Sequence, residues 1–424
     1  MNNPDKSMKM SSVAELPLRA VRVLDLSSIV AGPYCTHVLK TLGAEVIKVE
    51  RPQVGDGLRD LPMQAKQHQG LSAAFVGCNA GKKSISLDIT KQDGKHVLAQ
   101  LISKADVFVE SFRPGDLDKL GFTKERIKSL NPEIITCSIS AWGQSGPMSR
   151  RGGYDPVIQA ATGMMHMQGY TEDDAPLKVG FPLIDIVSGM QSTIAILGAV
   201  MRKKAGEKGS IDVDVSMADA SLIALSPLAH RFLNGGQKPI KSGNAGFTAS
   251  PGSNSFPTAS GWLSVTANTL AQFDAMCEVL GCPELAHPPF LVTRPTSPTA
   301  MLRGLGTPEM YSYLSEALKA KSSGEWEHLL NQAGVPSSAV RSLDEYLSDV
   351  YPQTPGIMAQ FDEPRLGHGV KQHVIGAGFR WTGPAPTIAE PAPMLGQHSH
   401  EVLAEIGFSQ EQIAELKRKQ VLFS

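Results

Sequence analysis

Up to residue 140 the chain repeats one feature five times: a short run of branched and apolar residues, strand-like in length. The runs are VRVLDLSS (21–28), EVIKVE (45–50), SISLDI (84–89), DVFVE (106–110) and IITCSIS (134–140). Helix-patterned segments at 91–104 and 123–130 separate the last three, and Ala31-Gly32-Pro33 turns the first into a helix that stops near Gly43. Strands alternating with helices make βαβ units, and such units make a mainly parallel sheet. The expected fold class is therefore α/β, with a Rossmann-like large domain.

Beyond residue 154 the pattern is mostly helical. A long apolar helix is expected from about Asp185 to Arg202, then a strand at 210–216 (SIDVDVS) and a helix from Met217. The Gly-, Ser-, Asn- and Pro-rich stretch 234–261 marks a crossing into a smaller α+β domain. That domain should hold a strand at WLSV and helices at 270–280, 307–319 and 324–333. The expected division is a large domain of 1–233 plus 346–424, ending in a helix at 397–406, and a small domain of 234–345.

Charge removes some function classes. The 40 basic and 41 acidic side chains leave a net charge of -1, which argues against a nucleic-acid or membrane-surface protein. The five cysteines are scattered and match no zinc or CxxC spacing, so no metal is expected and free thiols in a cytoplasm are the plain reading. The first twenty residues contain no signal-like apolar run, and no stretch approaches the roughly 18 apolar residues of a membrane span.

No GxGxxG follows the first strand, and Walker A, HExxH and GxSxG motifs are absent. Chemistry must therefore come from carboxylates and strand ends. Asp185, in Phe181-Pro182-Leu183-Ile184-Asp185-Ile186, begins the long apolar helix. Its plain role is a helix N-cap. Its chemical role is a carboxylate kept ionised by the free N–H groups of a helix start. Tyr154-Asp155, in GGYDP, is a turn cap or a phenol and carboxylate at a cleft mouth. Arg51, Lys82, Lys83 and Arg113 stand near strand ends. Singly they are solvated charges; together they would suit a phosphorylated nucleotide.

These residues sit in blocks that form a known series: VRVLDLSSIVAGPYCTHVLKTLGAEVIKVERP, NAGKKSISLD, FVESFRPGDLDKLGF, GGYDPVIQAATG, FPLIDIVSGMQS, VDVSMADA and APMLGQHSHEVLAEIGF. From about residue 20 to 410 the chain resembles the class III CoA-transferases, the group of formyl-CoA transferase and carnitine CoA-transferase. The resemblance implies that Asp185 is the nucleophile, with Tyr154 and Asp155 its supporting pair. It implies that Ile29, Val30 and Ala31 lie along coenzyme A and that Arg51 binds a nucleotide phosphate. Lys82, Lys83, Ser111, Phe112 and Arg113 match segments that contact the nucleotide or pantetheine arm. It also implies an interlocked homodimer.

Three positions depart from formyl-CoA transferase: Val30 replaces a Gln, Ser28 replaces a His, and residues 245–256 keep only Gly246 and Gly252 of a glycine run. They put oxalate and formate in doubt, not the reaction type. The implied reaction moves coenzyme A from an acyl-CoA to a carboxylic acid through an aspartyl anhydride and an aspartyl-CoA thioester. An α-methylacyl-CoA racemase shares the fold but places His where Tyr154 stands, and a phenol is a poor base near neutral pH. A non-catalytic acyl-CoA-binding protein is the third reading. Arg150, Arg151 and Lys178 lie near Asp185 in sequence and would suit a distal carboxylate, and no aromatic cluster marks the acceptor pocket, so a short aliphatic acid or a dicarboxylate is the expected acceptor.

Overall fold

The computed structural model describes residues 16–60, 70–246, 248–354, 356–383, 385–388 and 390–423. The leader, residues 1–15, where no signal-like run is expected, lies outside the described residues. The chain divides into two compact units: one of residues up to 165, 178–237 and 357 onward, the other of 166–177 and 238–356.

The first unit is built on a sheet of β1 (Arg22–Leu26), β2 (Glu45–Glu50), β3 (Lys83–Leu87), β4 (Val107–Glu110), β5 (Ile135–Ser140) and β6 (Ile211–Ser216). These strands pair in parallel in the order β3-β2-β1-β4-β5-β6, and the short strand Leu422–Phe423 adds antiparallel beside β3. The α/β expectation holds. Alternate residues of β1 enter opposite cores, as a two-residue period demands. Leu24 and Leu26 pack with Ile47, Phe108 and the helix Gln92–Ser103. Val23 packs with Val46, Val107 and the helix α1 (Ala31–Thr41). Apolar cores on both faces explain why these strands read as nearly continuous Val and Ile runs.

The helix Leu183–Lys204 lies against α1 through small residues: Ser188, Gly189, Ser192 and Thr193 are all buried. Their hydroxyls bond back into the helix, Ser188 Oγ to Ile184 O at 2.6 Å and Ser192 Oγ to Ser188 O at 2.8 Å. The face therefore carries no unmet polar group. This helix corrects one expectation, because its Ile, Leu, Val and Met outweigh its Ser, Thr and Gly. Over 18 residues its mean hydropathy is 1.6, so by length and composition alone it is apolar enough to cross a membrane. A core helix passes the same test, and 44% of that window is buried.

The second unit has its own antiparallel sheet of Gly252–Pro257, Trp262–Ala267 and Ser337–Ala339. Its core gathers Phe256, Leu263, Phe273, Leu314 and Trp326. It differs from the expected 234–345 by taking in 166–177, which is tied on by Gly243 N–H to Gly169 O at 3.0 Å and Lys241 Nζ to Asp174 O at 2.5 Å. It also retains 346–356.

The two helices come close at Gly189, where an added Cβ would stand 2.7 Å from the Ala31 carbonyl oxygen. Backbone cannot yield as a flexible side chain can. Gly189→Val should cost about 2–3 kcal/mol in urea unfolding, while Gly198→Val, where nothing lies within 4 Å, should not.

Candidate active site

A parallel sheet ordered 3-2-1-4-5-6 winds in opposite senses on either side of β1 and β4. The loops leaving their carboxyl ends diverge there and open a crevice. Ser28, Ile29, Val30 and Ala31 after β1 face Ser111, Phe112 and Arg113 after β4 across a cavity of about 420 Å³. Arg151, Tyr154 and Asp185 complete its working walls. A second cavity of about 340 Å³ shares Ser28, Ile29, Phe112 and Tyr154 and adds Arg51 at the end of β2. Tyr154, 71% exposed, stands where the two meet.

The loop after β1 is held from beneath by buried charge. Ile29 adopts φ +70°, a left-handed conformation that a β-branched residue reaches only at a cost of about 1–2 kcal/mol. Its N–H donates to Asp56 Oδ1 at 3.1 Å, and Ser28 N–H donates to Ser111 Oγ at 3.1 Å. Lys48, wholly buried in β2, donates to Ser27 O at 2.9 Å and pairs with Asp56 at 2.8 Å. Burial works against its ammonium, yet the Asp25, Asp56 and Glu50 carboxylates outweigh it and hold the Lys48 pKa above the usual lysine value. The α1 start above this loop has no side-chain cap, so its first N–H groups stay available at the cavity wall.

Two expected nucleotide ligands are corrected here. Lys82 is fully buried, and its ammonium is spent on Asp25 Oδ2 (3.0 Å), Thr36 Oγ1 (2.7 Å), Asn79 Oδ1 (2.9 Å) and Pro33 O (3.0 Å). Desolvation pushes its pKa down, and Asp25 opposes that. Lys83 opens β3 and so sits at the amino edge of the sheet, away from the crevice, paired with Glu45, Glu401 and Glu405. A residue that begins a parallel strand cannot also stand at its carboxyl end.

Asp185 is the third residue of its helix rather than the cap, since the helix begins at Leu183 after Pro182. The cap comes from another element. Asp155 Oδ2 accepts from Ile184 N–H at 2.6 Å and from Asp185 N–H at 3.2 Å. The helix-start donors expected to keep Asp185 ionised are thus given to Asp155, and among the described residues nothing donates to the Asp185 carboxyl. Burial first, and the neighbouring Asp155 carboxylate second, push the Asp185 pKa up to about 7. A residue the sequence reading missed, Gln159, pins the other oxygen of Asp155 through Nε2 at 2.5 Å. Its signal was the four-residue spacing from Asp155 along one helix face.

This geometry meets a matching set of known proteins. The pattern of CoA-transferase family III matches residues 18–399. The chain belongs to that family. It is 33% identical over 390 residues to succinyl-CoA:glutarate CoA-transferase of Mus musculus, covering 92% of this chain and 86% of that one. It is 30% identical over 434 residues to formyl-CoA:oxalate CoA-transferase of Escherichia coli O6:H1, covering 96% and 99%. A CAIB/BAIF family protein from Brucella suis superposes with a TM-score of 0.79 at 29% identity, covering 93% of this chain and all of that one. The protein is a family III CoA-transferase, an enzyme that handles CoA thioesters. The three basic residues near Asp185 in sequence are all exposed, and of them Arg151 lines the cavity while Arg150 and Lys178 do not.

Two expectations follow. Lys82→Met should cost about 3–5 kcal/mol in urea unfolding, because it strands the buried Asp25 carboxylate; a phosphate ligand would instead raise the KM for acyl-CoA and leave stability alone. Asp185 keeps its proton in the folded chain between its ordinary value of 3.8 and about 7. Folding therefore loses stability as pH rises through that window, and the penalty is complete above it. Asp185→Asn should be more stable than wild type by about 1–3 kcal/mol at pH about 8, after allowance for solvent screening at a half-buried site, and equal to it near pH about 4.

Proposed function

We propose that Asp185 is the covalent nucleophile of this CoA-transferase and that the acceptor is a short dicarboxylic acid whose distal carboxylate meets Arg151. The observation that carries the reading is the Asp185 carboxyl itself. It lines the cavity at the sheet's switch point, half-buried and denied the donors of its own helix. A carboxylate with few hydrogen bonds is a better nucleophile than a solvated one, and a dry wall protects an anhydride from hydrolysis.

In this scheme one Asp185 oxygen attacks the thioester carbonyl of the donor, forming an aspartyl anhydride and expelling the CoA thiolate. The thiolate attacks the Asp185 acyl carbon, giving an aspartyl-CoA thioester and releasing the donor acid. The acceptor carboxylate then attacks that thioester, and the returning thiolate takes the acceptor acyl group and frees Asp185. Ile29, Val30, Ala31, Ser111 and Phe112 are assigned to the pantetheine channel and Arg51 to the nucleotide phosphates, in keeping with the two joined cavities. Tyr154 stands at their junction, where it can order the reacting carbonyl. Arg151 supports the dicarboxylate assignment: no carboxylate pairs with it among the described residues, and its guanidinium stands 6.0 Å from the Trp142 ring centre. The named activities of the relatives, on succinyl-CoA with glutarate and on formyl-CoA with oxalate, support it too.

A homodimer belongs to the same reading, supported by Met190, Ile194, Met201, Leu222 and Ile223, which the first unit leaves exposed. Residence in the cytoplasm is in keeping with five free cysteines.

A panel of acyl-CoA donors against acceptor acids, read by mass spectrometry, tests the proposal. Asp185→Asn should lose exchange by at least about a thousandfold, and wild type with donor alone should give a hydroxylamine-sensitive adduct. Arg151→Met should raise the KM of a dicarboxylate acceptor about tenfold or more, with little effect on a monocarboxylate. Exchange at wild-type rate in Asp185→Asn would sink the scheme.

A further inference from the structure

Gln159 lies four residues beyond Asp155 on the helix Asp155–Ala161, is fully buried, and lines neither cavity. Both ends of its amide are engaged. Nε2 donates to Asp155 Oδ1 at 2.5 Å, and Oε1 accepts from Val179 N–H at 2.9 Å. The remaining oxygen of Asp155 accepts from Ile184 and Asp185 N–H. One amide thus ties together its own helix, the chain at Val179 and the first turn of the helix that carries Asp185.

We infer that Gln159 is a positioning residue for the nucleophile: it locks the Asp155 carboxylate against the helix start and so governs where the Asp185 carboxyl sits and how readily it ionises. The inference rests on the CoA-transfer reading for its kinetic consequences only. A carboxylate anchored through one oxygen can swing; the amide on the second oxygen prevents it. Released, Asp155 would return the Ile184 and Asp185 N–H groups to Asp185 and change the distance between the two acids. Both changes alter the balance between charged and neutral Asp185. The other titratable and charged groups around Asp185 are the Cys78 thiol and, on the cavity wall, Tyr154, Arg113 and Arg151. Among the described residues none of these side chains hydrogen-bonds to the Asp155 carboxylate. Gln159 is uncharged, so replacing it disturbs the arrangement without removing a charge from the site.

Gln159→Glu keeps the shape and the acceptor for Val179 N–H, but it can donate to Asp155 only while protonated. The ratio of its kcat to that of wild type should approach one near pH about 5 and fall at least about tenfold by pH about 9, with acyl-CoA affinity unchanged within about twofold. Gln159→Leu should be impaired at every pH. A ratio that stays level with pH, or a loss confined to affinity, overturns the inference. Infrared titration of the Asp185 carboxyl, isolated by difference against Asp185→Asn, gives a readout that needs no turnover. Its midpoint should move in Gln159→Leu, and an unmoved midpoint overturns the inference whatever the enzyme transfers. Should wild type exchange CoA with no acid, the CoA-transfer reading fails, and the infrared result still decides the role of Gln159.

Discussion

A helix start has a small, fixed number of unpaired N–H groups, and in this protein Asp155 takes the two that matter. Its Oδ2 holds the N–H groups of Ile184 and Asp185. One interaction thereby caps a helix of 22 residues that packs along α1 and strips the carboxyl of Asp185 of its natural donors. In the proposed mechanism, capping the helix and activating Asp185 are the same event. Had Asp185 been the cap, it would have been a stabilised, well-bonded and unreactive anion.

The cavity wall opposite follows the same logic with different groups. The loop Ser27–Val30 cannot hold its strained geometry by itself, because Ile29 sits where few side chains can. Lys48 and Asp56 hold it, and Asp25 with Lys82 anchors the α1 start behind it. Burying four charges in a sheet–helix interface is costly, and apolar residues of equal volume would serve stability as well or better. What they would not supply is an N–H acceptor under Ile29 or a cation under Ser27 O. The network is understood as rigidity for a loop that lines a cavity rather than as a source of stability.

The parallel sheet was legible because its strands are buried on both faces, which writes a dense Val and Ile signature into each; β2 occupies 45–50 as read. The strand Gly252–Pro257 was not legible, since GSNSFP resembles a linker and only pairing with Trp262–Ala267 makes it extended. Asp185, Tyr154, Arg51 and the two loops were singled out by motif, and the structure places them on the walls of two neighbouring cavities. Lys82 and Lys83 were misjudged because charge next to a strand says nothing about which end of the sheet it occupies or whether it is buried. Gln159 and Asp56 escaped notice because their work is done through backbone N–H groups and other carboxylates, and no residue type announces that. Asp155 was singled out, but its bonds to the Ile184 and Asp185 N–H groups were not foreseen: capping in trans depends on tertiary approach, not on local sequence.

The raised basicity of Asp185 also bears on the energetics of the proposed exchange. Turning a thioester into an anhydride is uphill, because a thiol of reference pKa about 8.5 is a poorer leaving group than a carboxylate near 4. With Asp185 at about 7, that gap shrinks by about three powers of ten. The attack on the thioester becomes correspondingly less unfavourable, and the return of the thiolate to the anhydride, already downhill, becomes less steeply so, which brings the two steps closer in energy. A symmetrical exchange between two acids of similar strength needs a nucleophile that neither acid outcompetes. A carboxyl poised between carboxylate and thiol satisfies that requirement, and the partly desolvated, donor-poor start of the helix Leu183–Lys204 is a physical means of producing one.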